Sequence, residues 1–409
     1  MYKYHLFLIL FIGLFSCQST HEEAQNGQEF KKGTFGFDLE FLDDYDSLVV
    51  LGSGDAMLII SPAFQGKVFT STASRLEGQS FGWINYDAIS SQKTAPHINA
   101  YGGEDRFWLG PEGGQYSIYF EPGSEMVFDN WQTPASIDIE PWTLVSSSEM
   151  SAQLSKSIQL KNYMGTTLQG EVDRVINLLT EADLQRLLDI QLGDGTKWVG
   201  FESNNTLTNT GPTSWAEESG TVCIWILGMF NPSDATTVVI PYLTGDEQEL
   251  GPIATTDYFG EIPGDRIAMQ DGILYFKGDG KHRGKLGISP ERATSVAGSY
   301  DAENKVLTIV QYDKPEEKSL YMNQVWAIQD EPYKGDVINS YNDGPLENGD
   351  QMGPFYELET VSPAAFLDPE QSITHTHLTF HFEGEEGQLN EVAEKVFGIS
   401  LEKIIGIFD

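Results

Sequence analysis

Two glutamates two residues apart, Glu357 and Glu359 in Phe355-Tyr356-Glu357-Leu358-Glu359-Thr360, put two carboxyl groups on one face of any strand that carries them. Carboxyls so placed can act as general base and substrate clamp, or crowd each other until one pKa rises. Further on, His375, His377 and His381 share a face of a strand predicted over 374–382, and they are three of the chain's seven histidines. A His-x-His pair suits proton transfer or a shared metal. At a rise of about 3.3 Å per residue His381 lies roughly 13 Å from His377, so three ligands from this strand cannot converge. A metal would need His375 and His377 together with Glu357 or Glu359.

The densest collection of reactive side chains lies earlier. Residues 99–120, NAYGGEDRFWLGPEGGQYSIYF, combine two Gly-Gly pairs, the run Glu104-Asp105-Arg106, a further acid at Glu112 and six aromatic rings, Trp108 among them. Glycine pairs permit positive φ or close approach of a ligand, and charges among rings are costly to bury unless paired or used. The same composition also fits tight turns beside an edge strand, with Arg106 neutralising Glu104 or Asp105. Trp83, Tyr86 and Trp131 extend the aromatic neighbourhood. Rings interleaved with acids and amides match the needs of a sugar, whose CH faces stack while its hydroxyls take polar partners. Lys281-His282-Arg283-Gly284-Lys285 is a basic island that either holds a substrate oxygen or pairs with the surrounding acids.

Strands must position these segments. From Thr34 onward short alternating or apolar runs are separated by Gly, Pro, Asp and Asn. Strands are predicted over 47–51, 56–61, 67–71, 116–120, 143–147, 152–160, 170–178, 221–227, 236–241, 272–276, 305–312, 320–328, 353–362 and 374–382, against helices only over 181–191 and 388–397. The fold class is therefore mainly all-β and antiparallel. No fixed period and no late linker divide it, so residues 34–409 form one domain.

The 24 Lys and Arg against 61 Asp and Glu give a net charge of −37, which repels phosphate backbones and excludes nucleic acid as a partner. A neutral ligand fits that field better. Residues 1–17 read as a bacterial lipoprotein signal: Lys3 is basic, 6–15 are apolar but too short to span a bilayer, and Leu14-Phe15-Ser16-Cys17 follows at cleavage distance. Cys17 is then the lipidated N-terminus and 18–33 a polar tether. That places the protein in the bacterial cell envelope, at the outer membrane, touching the membrane through its lipid alone. Cys223, the other cysteine, sits in an apolar run and reads as core, so neither a disulfide nor a cysteine metal site is expected.

The order of motifs resembles the galactose mutarotase-like (aldose 1-epimerase-like) superfamily, in a divergent branch of uncharacterised bacterial lipoproteins. The matching pieces are Ser61-Pro62-Ala63-Phe64-Gln65-Gly66-Lys67-Val68, then Tyr101-Gly102-Gly103-Glu104-Asp105-Arg106-Phe107-Trp108 with Pro111-Glu112, residues 205–211 (NTLTNTG), Tyr300-Asp301, and Leu358-Glu359-Thr360 with Ser362-Pro363. The resemblance implies an antiparallel β-supersandwich with one or two short helices, Glu359 as general base on an anomeric hydroxyl, and a histidine as acid on the ring oxygen. Residues 206–211 contain no histidine, so the acid has to come from His375, His377, His97 or His282.

Residues and resemblance together predict an envelope-anchored monomer that binds or processes a neutral carbohydrate without a cofactor. Glu359, His375 and His377 are the expected catalytic groups. Arg106, Glu104, Asp105, Trp108, Glu112, Glu357 and Trp131 are expected to hold substrate. The alternatives are a noncatalytic scaffold lipoprotein and a metal-assisted enzyme built on His375 and His377.

Overall fold

The computed structural model describes residues 29–409 apart from positions 194, 314, 317 and 347. Cys17 and most of the expected tether lie outside the described residues. Eighteen strands pair antiparallel in three sheets, in keeping with the expected mainly-β class. A ten-stranded sheet is centred on Ser372–Glu383, Lys197–Asn209 and Thr167–Leu178. A five-stranded sheet runs in the order Gly284–Ile288, Ile338–Asn342, Tyr356–Val361, Cys223–Phe230, Arg106–Gly110. Val49–Ser53, Ala56–Ser61 and Lys67–Thr72 make a small third sheet near the N-terminus.

The two large sheets pack face to face. Phe107, Leu109, Ile224, Ile226 and Leu358 from the shorter sheet and Leu154, Val172, Ile176, Phe201 and Val310 from the longer one belong to a single buried core. The outer face of part of the ten-stranded sheet is covered by helices. Leu389, Val392 and Phe397 of helix Glu386–Phe397, and Leu184 and Leu188 of helix Glu181–Leu188, pack on Leu307, Ile309, Phe380 and Phe382. The Glu181–Leu188 helix begins at a capping box between Thr180 and Asp183, a start signal readable from sequence.

Two predicted strands are absent. Residues 116–120 and 320–328 form no ladder; the apolar side chains of 116–120 are buried by packing instead, with Tyr116 stacked on Tyr333 and the Tyr119 hydroxyl donating to the Leu109 carbonyl, whereas 320–328 buries Tyr321 and Met322 and exposes Leu320, Val325 and Ile328. Strands Arg106–Gly110, Ile267–Gln270, Gly284–Ile288 and Val296–Asp301 were not expected, nor were Lys197–Asn209 and Ile338–Asn342, where Asn and Ser weaken the strand signal. The inward polar groups of these last two find tertiary partners: Ser203 donates to Asp105, and Ser340 to the Glu357 carbonyl. Helix Phe35–Asp43 was also missed, its aromatic and acidic composition giving weak helix propensity.

Candidate functional site

Alternation along the five-stranded sheet sends one set of side chains into the sandwich and the other outward. On Arg106–Gly110, Phe107 and Leu109 join the core while Arg106 and Trp108 line a pocket of about 360 Å³ on the outer face. Strand register then arranges the outward residues in rows. One row reads Arg106, Leu227, Glu359, Asn339, Gly287, and its neighbour reads Met229, Glu357, Tyr341, Lys285. The two ion pairs cross from row to row: Arg106 Nη2 lies 2.5 Å from Glu357 Oε1, and Lys285 Nζ lies 2.9 Å from Glu359 Oε2. Both acids come from the central strand and both bases from the two edge strands.

Aromatic rings build the walls. Trp108 and Trp225 meet edge to face at 5.6 Å, and Trp131 lies nearly parallel to Tyr119 at 5.6 Å and to Trp326 at 5.8 Å. Lys285 Nζ stands 4.6 Å from the centre of the Trp225 ring, whose Nε1–H donates to Glu359 Oε2 at 2.9 Å. Phe128, Phe259 and Met352 stand at the mouth, and the Arg283 guanidinium lies 3.9 Å over the Phe259 ring.

The electrostatics separate the acids. Burial, reinforced by the Glu359 carboxylate, pushes the Glu357 carboxyl up to about 8 against the pull of Arg106. Glu112 is pushed up to about 7, chiefly by burial and further by Glu359, although Lys285 and a hydrogen bond from Trp326 oppose the rise. Burial pulls the Lys285 ammonium down, but Glu359 and Glu112 outweigh it and the net shift is upward. Three buried polar atoms on these residues lack a partner: Arg106 Nε, Trp131 Nε1 and Glu359 Oε1.

Arg106, Trp108, Glu112, Trp131 and Glu357 thus line one cavity, from segments up to 251 residues apart. Glu359 lies beneath them, fully buried and held by Lys285 and Trp225, so Glu357 rather than Glu359 is the carboxyl on the pocket wall. Glu104 and Asp105 do not join the site. Glu104 accepts from Ser71 at 3.0 Å and pairs with His381 at 2.8 Å, while Asp105 pairs with Arg174 and accepts from Ser203, all inside the molecule.

His375 and His377 correct the expectation most sharply. Both rings hydrogen-bond the Thr360 hydroxyl, at 2.8 and 2.9 Å, on the sandwich side of the strand whose other side carries Glu357 and Glu359. Burial lowers them to about 3 and about 4, so both are neutral at ordinary pH. Neither can donate to a ligand in the pocket, and neither can share a metal with Glu357 or Glu359. Among the described residues no group of three or more His, Cys, Asp and Glu is arranged to hold a metal. His97 and His282 do not line the pocket either. Tyr86, also grouped with this neighbourhood, belongs to the N-terminal part, where it donates to Asp38.

The Gly-Gly pairs serve packing rather than ligand approach. A Cβ on Gly102 would sit 2.0 Å from the Trp83 carbonyl oxygen, and one on Gly113 would sit 2.2 Å from that of Val325. Sequence reasoning missed Trp225, hidden in an apolar run read as core, and Trp326, Tyr341 and Phe259, which stand in segments with no chemical pattern. Lys285 and Arg283 carried a visible signal as members of the basic island. Of its three Lys and Arg residues only Lys281 makes the surface pair, with Asp234.

The chain is similar to several solved structures at low sequence identity. With a putative aldose 1-epimerase from Escherichia coli it shares 14% identity and a TM-score of 0.49 over 83% of this chain and 99% of the other. A galactose mutarotase-like protein from Lactobacillus casei gives 11% and 0.46 over 83% and 100%, and the Slr1438 protein from Synechocystis gives 12% and 0.47 over 83% and 96%. No curated protein sequence matches the chain. Over residues 33–408 the sequence matches a family of unknown function, DUF6786, and the chain belongs to that family.

Proposed function

We propose that this protein binds a neutral carbohydrate in the pocket on the outer face of the five-stranded sheet. The observation that carries the reading is the pairing of aromatic walls with hydrogen-bonding capacity. Trp108, Trp131, Trp225 and Trp326 offer ring surface, while Arg106, Lys285, Glu112 and Glu357 bring charged hydrogen-bonding groups to the same cavity. Hydroxyl groups both donate and accept, and their CH-bearing ring stacks on indole, so a sugar answers both demands at once. A pocket of about 360 Å³ falls in the ordinary range for small ligands.

Titration calorimetry with a panel of neutral mono- and disaccharides tests the reading, with Arg106→Met as the control. Saturable binding that the substitution weakens by about tenfold or more is expected; no binding across the panel overturns it. A second reading, proton transfer on the bound sugar, is favoured by Glu112 and Glu357, whose carboxyls titrate near neutrality where a general acid or base works best. Exchange NMR between anomers checks it: acceleration that disappears in Glu357→Gln is the expected outcome.

We further propose that the protein is a lipid-anchored envelope protein, on the strength of Leu14-Phe15-Ser16-Cys17 after its short apolar segment. Labelling with a clickable palmitate analogue should mark the chain, and Cys17→Ser should abolish the label.

A further inference from the structure

We infer that the sugar this pocket takes is a glycoside carrying an apolar aglycone, an alkyl or aryl group, instead of a free sugar or a sugar chain. The inference rests on the carbohydrate reading and adds the ligand's second half. Its basis is a change in chemistry between the floor of the pocket and its mouth. The charged groups of the floor are deep, with Arg106 at 3% and Glu357 and Lys285 each at 6% exposure. Most of the exposed side chains at the mouth are apolar: Phe128 is 53% exposed, Leu346 46%, Phe259 39% and Met352 37%, with Asp350 and Gln351 as the polar members.

Apolar side chains exposed singly on a surface carry no message, but a ring of them around a cavity with a polar floor does. Phe128 is also continuous with the inner wall. Its ring lies nearly parallel to Trp131 at 6.2 Å, which in turn stacks on Trp326, so one aromatic ladder runs from the floor to the solvent. A sugar on the floor meets Arg106, Lys285 and Glu357 and leaves the upper rungs wet. A flanking sugar would bring hydroxyls against the Phe128, Leu346 and Met352 side chains, which offer them no partner. An alkyl or aryl group bonded to the sugar covers these side chains without bringing further hydroxyls that need partners. A second copy of this chain could cover the mouth, but its surface could not reach the donors of the floor.

The test compares methyl, hexyl and phenyl β-glucosides and β-galactosides, below their micelle concentrations, with cellobiose, lactose and hexanol, by calorimetry on the full-length chain. Hexyl and phenyl glycosides should bind roughly tenfold tighter than methyl glycosides, the factor that covering on the order of 60 Å² of apolar surface supplies. In Phe128→Ser, a substitution at an exposed position, the hexyl-to-methyl affinity ratio should fall toward one. An unchanged ratio in that variant, equal affinities for methyl and hexyl glycosides, or tighter binding of the disaccharides overturns the inference while leaving the carbohydrate reading standing. Hexanol binding as well as the hexyl glycosides, or no glycoside binding at all, overturns both. Sedimentation showing a dimer that Phe128→Ser dissolves assigns the mouth to a second copy and overturns the inference alone.

Discussion

The two faces of the five-stranded sheet carry nearly the same chemistry and do different things with it. On the sandwich side, Arg174 pairs with Asp105, His381 with Glu104, and His375 and His377 share Thr360, all fully buried. On the outer side Arg106 pairs with Glu357 and Lys285 with Glu359. Leftover hydrogen-bonding atoms occur on both, Arg174 Nε and Glu104 Oε1 inside, Arg106 Nε and Glu359 Oε1 outside. What differs is the space beside them. The void next to His381 is about 20 Å³, room for one water, whereas the outer pairs border about 360 Å³. Charged pairs and histidines mark a site only where a cavity admits something to meet them.

That contrast can be broken by substitution. The largest expected effect is on the sealed face: Arg174→Met leaves the Asp105 carboxylate buried and unpaired, and should cost about 3–5 kcal/mol of stability in urea unfolding. Arg106→Met should cost less stability, because Glu357 is already biased toward its protonated form and borders a cavity. It should instead weaken sugar binding by about tenfold or more, as expected for a lost charged hydrogen-bond donor. A larger stability loss from Arg106→Met than from Arg174→Met would erase the distinction between the faces.

The pH dependence separates the faces with opposite signs. His375 and His377 are lowered from an ordinary 6.5 to about 3 and about 4, so below pH 6.5 the unfolded chain binds protons that the folded chain refuses. Their contribution is full above that pH and is lost as the pH falls toward 4. Glu357 is raised from 4.5 to about 8, so between those values the folded chain holds a proton that the unfolded chain releases, and stability declines as the pH rises through the window. Urea midpoints across pH 4–8 should lose the alkaline decline in Glu357→Gln and keep the acid one. The smallest effect belongs to Lys281→Ala, which removes an exposed pair with Asp234 and should leave the urea midpoint unchanged.

Much of the fold was legible because alternation and apolar runs are local. Strands Ala56–Ser61, Thr143–Ser147 and Thr236–Pro241 were bounded as found, and the helices Glu181–Leu188 and Glu386–Phe397 announced themselves by capping or periodicity. Six strands were illegible, among them the edge strands Arg106–Gly110 and Gly284–Ile288; two of the six, Lys197–Asn209 and Ile338–Asn342, are rich in Asn and Ser whose partners lie far away in the chain. The site divides in the same way. Arg106, Trp108, Glu112, Trp131 and Glu357 were found by type and clustering, while Trp225, Trp326 and Tyr341 looked like core or loop.

The sequence alone determined the mainly-β class, the acidic surface and the sidedness of each strand, since alternation obliges Glu357 to face away from Tyr356 and Leu358 whatever the fold. It also put His375 and His377 on one face of their strand. Only the tertiary structure decided which faces meet. Sheet order placed Lys285 and Arg106 on opposite edges with both glutamates between them, and register crossed the pairs. The same packing turned the histidine face inward onto Thr360, a full strand thickness from the carboxyls they were expected to serve. The physical reason is range: side-chain direction is set within a residue or two, whereas strand order and register are set by burial summed over the whole sandwich.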